Sequence, residues 1–406
     1  MRGQPGGERP WAAVLGLSLD QLVAWGVLYY SYGVLAVPMS RDLGVPTSTV
    51  AAAFSGCLLV SSLLARRVGV LLDRRGARPV LLYGAIIAPL AFGGLAAVDA
   101  ALPLLLVFAV LGIGQAFSLY EPAFRAVVDW FPVPQPRSRA LLVLTSVAGF
   151  ASTVFMPLTV ALLDAFGWRF TVLALAALTA AVTLPIRLLL PRQPSSDDPC
   201  RTSVLDSASL PPAAFTKLLS GGFALQAFAA TGATVCLVWQ LVERGETLKV
   251  AAALAGLAGA SQVPGRLLLS PLSSVVSTEV RLPLLLVVQG VAVVGIAVLS
   301  GPAVLVAVMT FGAAAGVMTL ERAAVVIEWF GRDAFGSGSG RLASAALLAR
   351  ASAPFAVELV HGSFSYSTVL GLLAGCLLIG STLITIATRV RRRANGRDPR
   401  RPVGTS

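Results

Sequence analysis

Apolar runs of about twenty residues, parted by short polar breaks, recur along almost the whole of this 406-residue chain. A bilayer core of about 30 Å needs roughly 20 apolar residues as helix. Twelve segments meet that length, at 12–38, 49–72, 79–98, 102–126, 140–164, 168–190, 216–241, 249–272, 282–299, 302–327, 341–361 and 366–389. The first, from Trp11 to Pro38, is too long for a signal-peptide core and lacks a small-residue cleavage pattern. Charged residues make up 12% of the chain and hydrophobic ones 56%, against roughly 25% charged in soluble domains. A water-facing surface cannot be built from that supply, so lipid covers most of the exterior. The fold class predicted is an all-α membrane protein, with twelve transmembrane helices in two sets of six.

Arginine sets the expected orientation. With both ends on one side, that side collects Arg2, Arg9, Arg66, Arg67, Arg74, Arg75, Arg78, Arg137, Arg139, Arg187, Arg192, Arg201, Lys217, Arg281, Arg332, Arg341 and a tail from Arg389 to Arg401. The other side holds Arg41, Arg169, Arg244 and Lys249. Positive loops mark the cytoplasm, so both termini are expected there; the near-exclusive use of arginine over lysine reads as a GC-rich bacterial genome, and the membrane expected is the bacterial inner one. The net charge of +12 punctuates apolar runs instead of clustering on a soluble face, which excludes nucleic acid as a partner. Arg391-Arg392-Arg393 reads as a stop-transfer anchor, or as a contact to anionic headgroups. Four scattered cysteines (Cys57, Cys200, Cys236, Cys376) and one histidine form no metal or disulfide framework. No metal, no cofactor and no catalytic constellation are expected, so the chain is not read as an enzyme.

The two sets of six repeat one another. Gly112, Glu121 and Trp130-Phe131 return as Gly312, Glu321 and Trp329-Phe330, at an offset of 200 slipping to 199. Pro157, Val160 and Leu162 return as Pro354, Val357 and Leu359, and Ala24-Trp25-Gly26 more faintly as Ala230-Thr231-Gly232. The expected organisation is a bundle over 1–190, a cytoplasmic linker over 191–215, a second bundle over 216–390 and a basic tail over 391–406. A six-plus-six parallel repeat is the architecture in which two bundles rock about a central cavity.

After the second run the chain reads Gly69-Val70-Leu71-Leu72-Asp73-Arg74-Arg75-Gly76-Ala77-Arg78-Pro79. Gly69 offers close helix approach, Gly76 a tight turn, and Arg74 and Arg78 anchor the loop to charges or headgroups. The stretch resembles the signature of the major facilitator superfamily, as does Gly167-Trp168-Arg169. Ala24-Trp25-Gly26-x-x-Tyr29-Tyr30, Leu119-Tyr120-Glu121-Pro122-Ala123-Phe124 and Gln262-Val263-Pro264-Gly265-Arg266-Leu267 resemble a set of bacterial members labelled only as transporters. The resemblance implies a twelve-helix monomer in which Asp73 caps the eleventh span. Two features depart from the family's proton-coupled antiporters: Phe108 stands where an arginine is common, and the fifth span has Gly149 and a lone Pro157 instead of a Gly-Pro pair.

Ionisable residues inside spans cost at least ~2.5 kcal/mol on insertion scales and are functional by default. Asp20 lies mid-span, followed at helical spacing by Trp25 and Tyr29; it is read either as a proton or cation site, or as a carboxylate neutralised by a helix-end or serine partner nearer the cytoplasm. Glu121 and Glu321 are the repeat's paired acids, read as gate salt bridges, with Arg125 one turn after Glu121. Arg322 and Arg350 favour an anionic substrate if they face the cavity, Gln226 adds an uncharged hydrogen bond, and Glu358 and His361 sit near the outer end. The function expected is secondary transport of a small solute by alternating access. The resemblance leans toward proton-coupled efflux of a toxic or organic compound. Uptake or exchange of a small carboxylate is the alternative, and a transporter-like ligand sensor a remote one.

Overall fold

The computed structural model describes residues 9–131, 133–191, 213–269, 276–330 and 335–395. The expected linker and the end of the basic tail therefore fall largely outside the described residues. Every regular element among the described residues is helical. The α-helices are α1 (Arg9–Trp25), α2 (Tyr32–Leu43), α3 (Thr47–Arg75), α4 (Ala77–Gly94), α5 (Ala101–Ser118), α6 (Tyr120–Trp130), α7 (Pro134–Gly149) and α8 (Ala151–Leu189). They continue as α9 (Ala213–Glu243), α10 (Leu248–Leu269), α11 (Thr278–Val298), α12 (Pro302–Phe330), α13 (Phe335–His361) and α14 (Tyr366–Asn395).

Several of these helices join into longer rods. A π-helical segment, Gly26–Tyr30, links α1 to α2. A single extended residue, Leu119, separates α5 from α6. Helix α8 breaks at Gly167, whose φ of +75° suits a residue without a Cβ. Arg169 lies beside Val98 at the end of α4, and Arg187 beside Leu81 near its start. The second part of α8 therefore runs antiparallel to α4. By length and apolarity, nine stretches among the described residues can cross a membrane, one of them being the 55-residue Gln135–Leu189 with its internal break. Helices α10 and α13, expected as spans, are not among the nine. Large apolar side chains such as Leu15, Leu63, Leu90, Leu102, Leu189, Val291 and Val306 face outward, as a lipid-covered surface requires.

Helices α1–α8 and α9–α14 pack as two groups with largely separate apolar cores. The start of α1 and the end of α14 share one face of the molecule, here the terminal face; the opposite one is the distal face. At the distal face two arginines do equivalent work. Arg169 donates to the carbonyls of Ala96 and Val98 (2.9 and 2.8 Å) and pairs with Asp42 (2.8 Å). Arg244 donates to those of Ala297 and Val298 (2.8 and 3.1 Å). Each supplies donors to the orphan carbonyls that end a helix; the accepting carbonyls, though not the two arginines, are related by the repeat offset of about 200.

The groups meet where α3 packs on α13, α8 and α7 on α10, and α2 on α9. Small residues let the backbones touch. A Cβ on Gly259 would overlap Ser152, and Thr153 Oγ1 donates to the Gly256 carbonyl at 2.7 Å. Toward the terminal face the rods part company: α1 packs on α6, α7 and α8, α6 on α1, α3, α4, α5 and α7, and α12 on α10, α11 and α13. Each stays within its own group, so the molecule is joined at the distal face.

Candidate translocation site

Two local breaks build the middle of the first group. Pro122 has no N–H and its ring crowds the carbonyl four residues back, which is Ser118. That carbonyl is taken up from α1, where Gln21 Nε2 donates to it at 2.8 Å. Conversely Gln115, on α5, donates to the Leu28 carbonyl inside the π segment at 2.7 Å. Each irregular rod is thus held by a glutamine of the other. Gly26 allows the π segment to press against Phe155, whose ring fills the place of a Cβ.

The π segment and the start of α6 present a run of rings. Trp25 lies 4.8 Å from Tyr120 and 5.5 Å from Tyr29. Tyr120 stacks on Phe124 at 4.9 Å, and Tyr29 meets Tyr30 edge-on at 5.2 Å. Trp25 Nε1 is buried without a partner among the described residues. Tyr30 borders a cavity of about 40 Å³ between the groups, lined also by Ser152 and Met156 from one side and Thr234, Gln262 and Phe311 from the other.

Two guanidinium groups act on this space. Arg266 is buried and spends its donors on the carbonyls of Thr145 (2.8 Å) and Gly316 (3.2 Å) and on Gln262 Oε1 (3.2 Å). Arg350, half-buried on α13, makes no hydrogen bond or ion pair among the described residues. The charges of both arginines reach the phenols of Tyr30 and Tyr120. Among the described residues neither has a carboxylate partner.

The residues expected from sequence divide sharply. Trp25, Tyr29 and Arg350 belong to this region, with Tyr29 buried against Phe54. Asp20 does not. It is wholly buried and bidentate with Arg187 (2.7 and 3.1 Å), which also donates to the Leu81 carbonyl and to Ser118 Oγ. Gln226, its counterpart at the offset of Ala24 and Ala230, turns into its own group toward Gln289 (3.3 Å). Glu321 is paired with Arg281 at 2.7 and 2.8 Å. Arg187 and Arg281, counted in the sequence as loop charges, are therefore buried ion-pair members. The 200 offset carries Arg281 onto Leu81, so Glu121 has no such partner and stands exposed at the start of α6.

The expected Glu121–Arg125 pair is not formed. Arg125 binds Asp129 (2.9 Å) and Asp73 (2.5 Å) instead. Asp73 was expected at the start of the eleventh span; its partner among the described residues is on α6, because the groups diverge at this face. For the same reason a Cβ on Gly69 would meet nothing within 4 Å, and the close approach it permits is not made. Gly76 ends α3 with φ +77°, Arg74 is exposed, and Arg78 donates to the Leu188 carbonyl at 2.5 Å. The side chain of Arg322 lies outside the described residues. Sequence reasoning assigned no role to Gln262 and Arg266, although Arg266 falls inside an expected span and so carried the signal used for Arg350.

Two helix groups, joined at one face and enclosing a polar, aromatic centre, define a membrane transport protein. Residues 20–320 match the Major Facilitator Superfamily, and the chain belongs to it. Human monocarboxylate transporter 11 is 32% identical over 215 residues, 49% of this chain and 42% of that protein, so the match spans less than half of that relative. Among solved structures, a bacterial homologue of the human lysosomal transporter Spinster, in an inward-facing and unoccupied conformation, superposes with a TM-score of 0.75 at 15% identity, covering 96% of this chain and 98% of that one. The nucleoside transporter NupG gives 0.72 at 13% identity, covering 94% and 99%. The protein is an integral membrane transporter acting on a small molecule.

Proposed function

We propose that the substrate is a small organic anion, a carboxylate foremost, carried by alternating access of the space between Arg266 and Arg350. The observation that carries this reading is that Arg266, bonded to the cavity-lining Gln262, and Arg350, whose charge reaches the cavity-lining Tyr30, have no acid to balance them among the described residues. Arginine matches a carboxylate with paired donors, and an uncompensated buried cation favours an anion strongly. The same charges oppose a cationic toxic compound, which weakens the efflux reading. The name of the human relative, a monocarboxylate transporter, supports the anion.

In this proposal Trp25, Tyr29 and Tyr120 form the apolar wall for the substrate's body, and Trp25 Nε1 is a free donor. Asp20 with Arg187, and Gln226 with Gln289, act as internal braces. Glu121, Glu321 and the Asp73–Arg125–Asp129 cluster belong to the gate at the terminal face. The arginine bias supports a cytoplasmic setting for that face and both termini in a bacterial cell, with the site opening inward. A single chain carries both groups, so a monomer suffices.

Purified protein in proteoliposomes tests the reading by counterflow of labelled monocarboxylates, with neutral and cationic solutes for comparison. A hydrogen bond to a charged group contributes about 1.5–3 kcal/mol, so R350A and R266A should each lower kcat/KM for the carboxylate by about tenfold or more. Carboxylate flux unchanged in both variants would sink it.

A further inference from the structure

The last helix carries its arginines on two sides. Arg391 and Arg392 turn toward α11 and α12. Both pair with Glu279 at the start of α11, Arg391 at 3.9 Å, and the Arg391 guanidinium lies 5.3 Å from the Trp329 ring at the end of α12. Arg389 and Arg393 are exposed and make no ion pair or hydrogen bond among the described residues. The run Arg391-Arg392-Arg393 is therefore not one patch of charge. Two of its members are spent on the protein, and the free pair is Arg389 with Arg393.

Position along α14 decides what that pair meets. Leu372, Ile379, Thr382 and Ile386 are exposed at successive spacings of seven, three and four, and Arg389 and Arg393 continue the series by three and four. Residues so spaced share one face of a helix. The other face is packed: Ile384 sits against Gly222 of α9 and Leu377 against Gly290 of α11. On the exposed stripe only Thr382 is polar before the arginines, and its hydroxyl is tied to the Leu378 carbonyl at 2.9 Å, so lipid can cover it. Tyr366 starts the helix at the distal face. At 1.5 Å per residue Arg389 and Arg393 lie about 35 and 40 Å beyond it. A bilayer has a core of about 30 Å, and about 40–45 Å with its headgroups. The pair stands in the headgroup layer of the terminal face.

We propose that Arg389 and Arg393 bind the phosphate of an anionic phospholipid whose tails lie along the stripe from Leu372 to Ile386. Guanidinium groups four residues apart on a helix are neighbours, and like charges so placed repel. A phosphodiester between them accepts from both forks and removes the repulsion. The apolar stems of the two side chains reach along the stripe to that phosphate. A zwitterionic headgroup brings its own cation beside the phosphate and is held less well, so net negative charge is selected. The bound lipid ties the end of α14 to one leaflet and, through Glu279 and Trp329, the ends of α11 and α12 with it. The inference is independent of the solute carried.

Native mass spectrometry of the purified full chain tests it, with phosphatidylglycerol and phosphatidylcholine of matched tails as probes. Phosphatidylglycerol should be retained in preference to phosphatidylcholine. R389A and R393A should each weaken its binding about tenfold, and the double variant should hold the two lipids alike. R66A/R67A, which removes two other exposed arginines, should keep the preference. Equal retention of both lipids by the unaltered protein, or an undiminished preference in R389A/R393A, would overturn the proposal. Displacement of the lipid by glycerol phosphate would do the same, since the occupant would then be a soluble anion. Both side chains are exposed, so their loss removes no packing. Should the double variant fail to fold, an undiminished preference in both single variants counts against the site.

Discussion

A buried carboxylate in this protein takes one of two forms, and its neighbours decide which. Asp20 is met by Arg187 with two bonds, and the remaining guanidinium donors reach Leu81 and Ser118. Removing one member of such a pair strands the other, at about 3–5 kcal/mol. We expect D20N and R187Q each to lower thermal stability by that order, measured by melting of the purified protein. The double variant should lose less than the sum, because neither charge is then left alone. Glu321 follows the same pattern with Arg281, while Glu358 has only the Tyr366 hydroxyl. That Glu321 enters a salt bridge was legible in the sequence; the partners of these acids were not. The run of apolar residues shows that an ionisable group lies in a span, but not which distant helix turns toward it. Arg187 and Arg281 sit so near span ends that spacing alone assigns them to loops.

At the scale of the element, regular helix was easy to read and its interruptions were not. Apolar runs fixed the rods to within a few residues, since lipid tolerates few alternatives for a backbone without water. The π segment at Gly26–Tyr30 left no mark in composition, because what sustains it is Gln115 on another rod and the ring of Phe155. The break before α6 did leave one, in Pro122. Its repeat counterpart is Arg322, and α12 runs unbroken from Pro302 to Phe330. Replacing Pro122 with alanine restores the N–H that would bond the Ser118 carbonyl. The α5–α6 rod should then straighten and carry Tyr120 away from Trp25. We expect P122A to raise KM for the transported anion several-fold without lowering the melting temperature. An unaltered KM would show that the break has no part in holding the ring cluster.

For the molecule as a whole, duplication and family were visible in the signature loop and the repeated Gly–Glu–Trp–Phe spacing. Which face is joined was not, because both conformations of a rocking pair share one sequence. The joined face makes its own test. The Cβ position of Gly33 lies 3.8 Å from the Val235 carbonyl across the seam. A G33C/V235C pair should form a disulfide that holds the distal face shut and stops flux, with reductant restoring it. Full flux in the oxidised protein would mean that the seam never opens.

Among the described residues every ion pair but one lies within a single bundle; between bundles lie bare glycine backbone, methyl groups and a few single hydrogen bonds, that of Arg266 to the Thr145 carbonyl among them. Lys249 and Asp164 do reach across at 3.3 Å, but in the open, where water replaces either at little cost. A joint greased in this way can slip without breaking a buried ion pair. The barrier to turnover should then lie in the wetting and drying of a few side chains, and rates should respond more to membrane thickness and temperature than to salt.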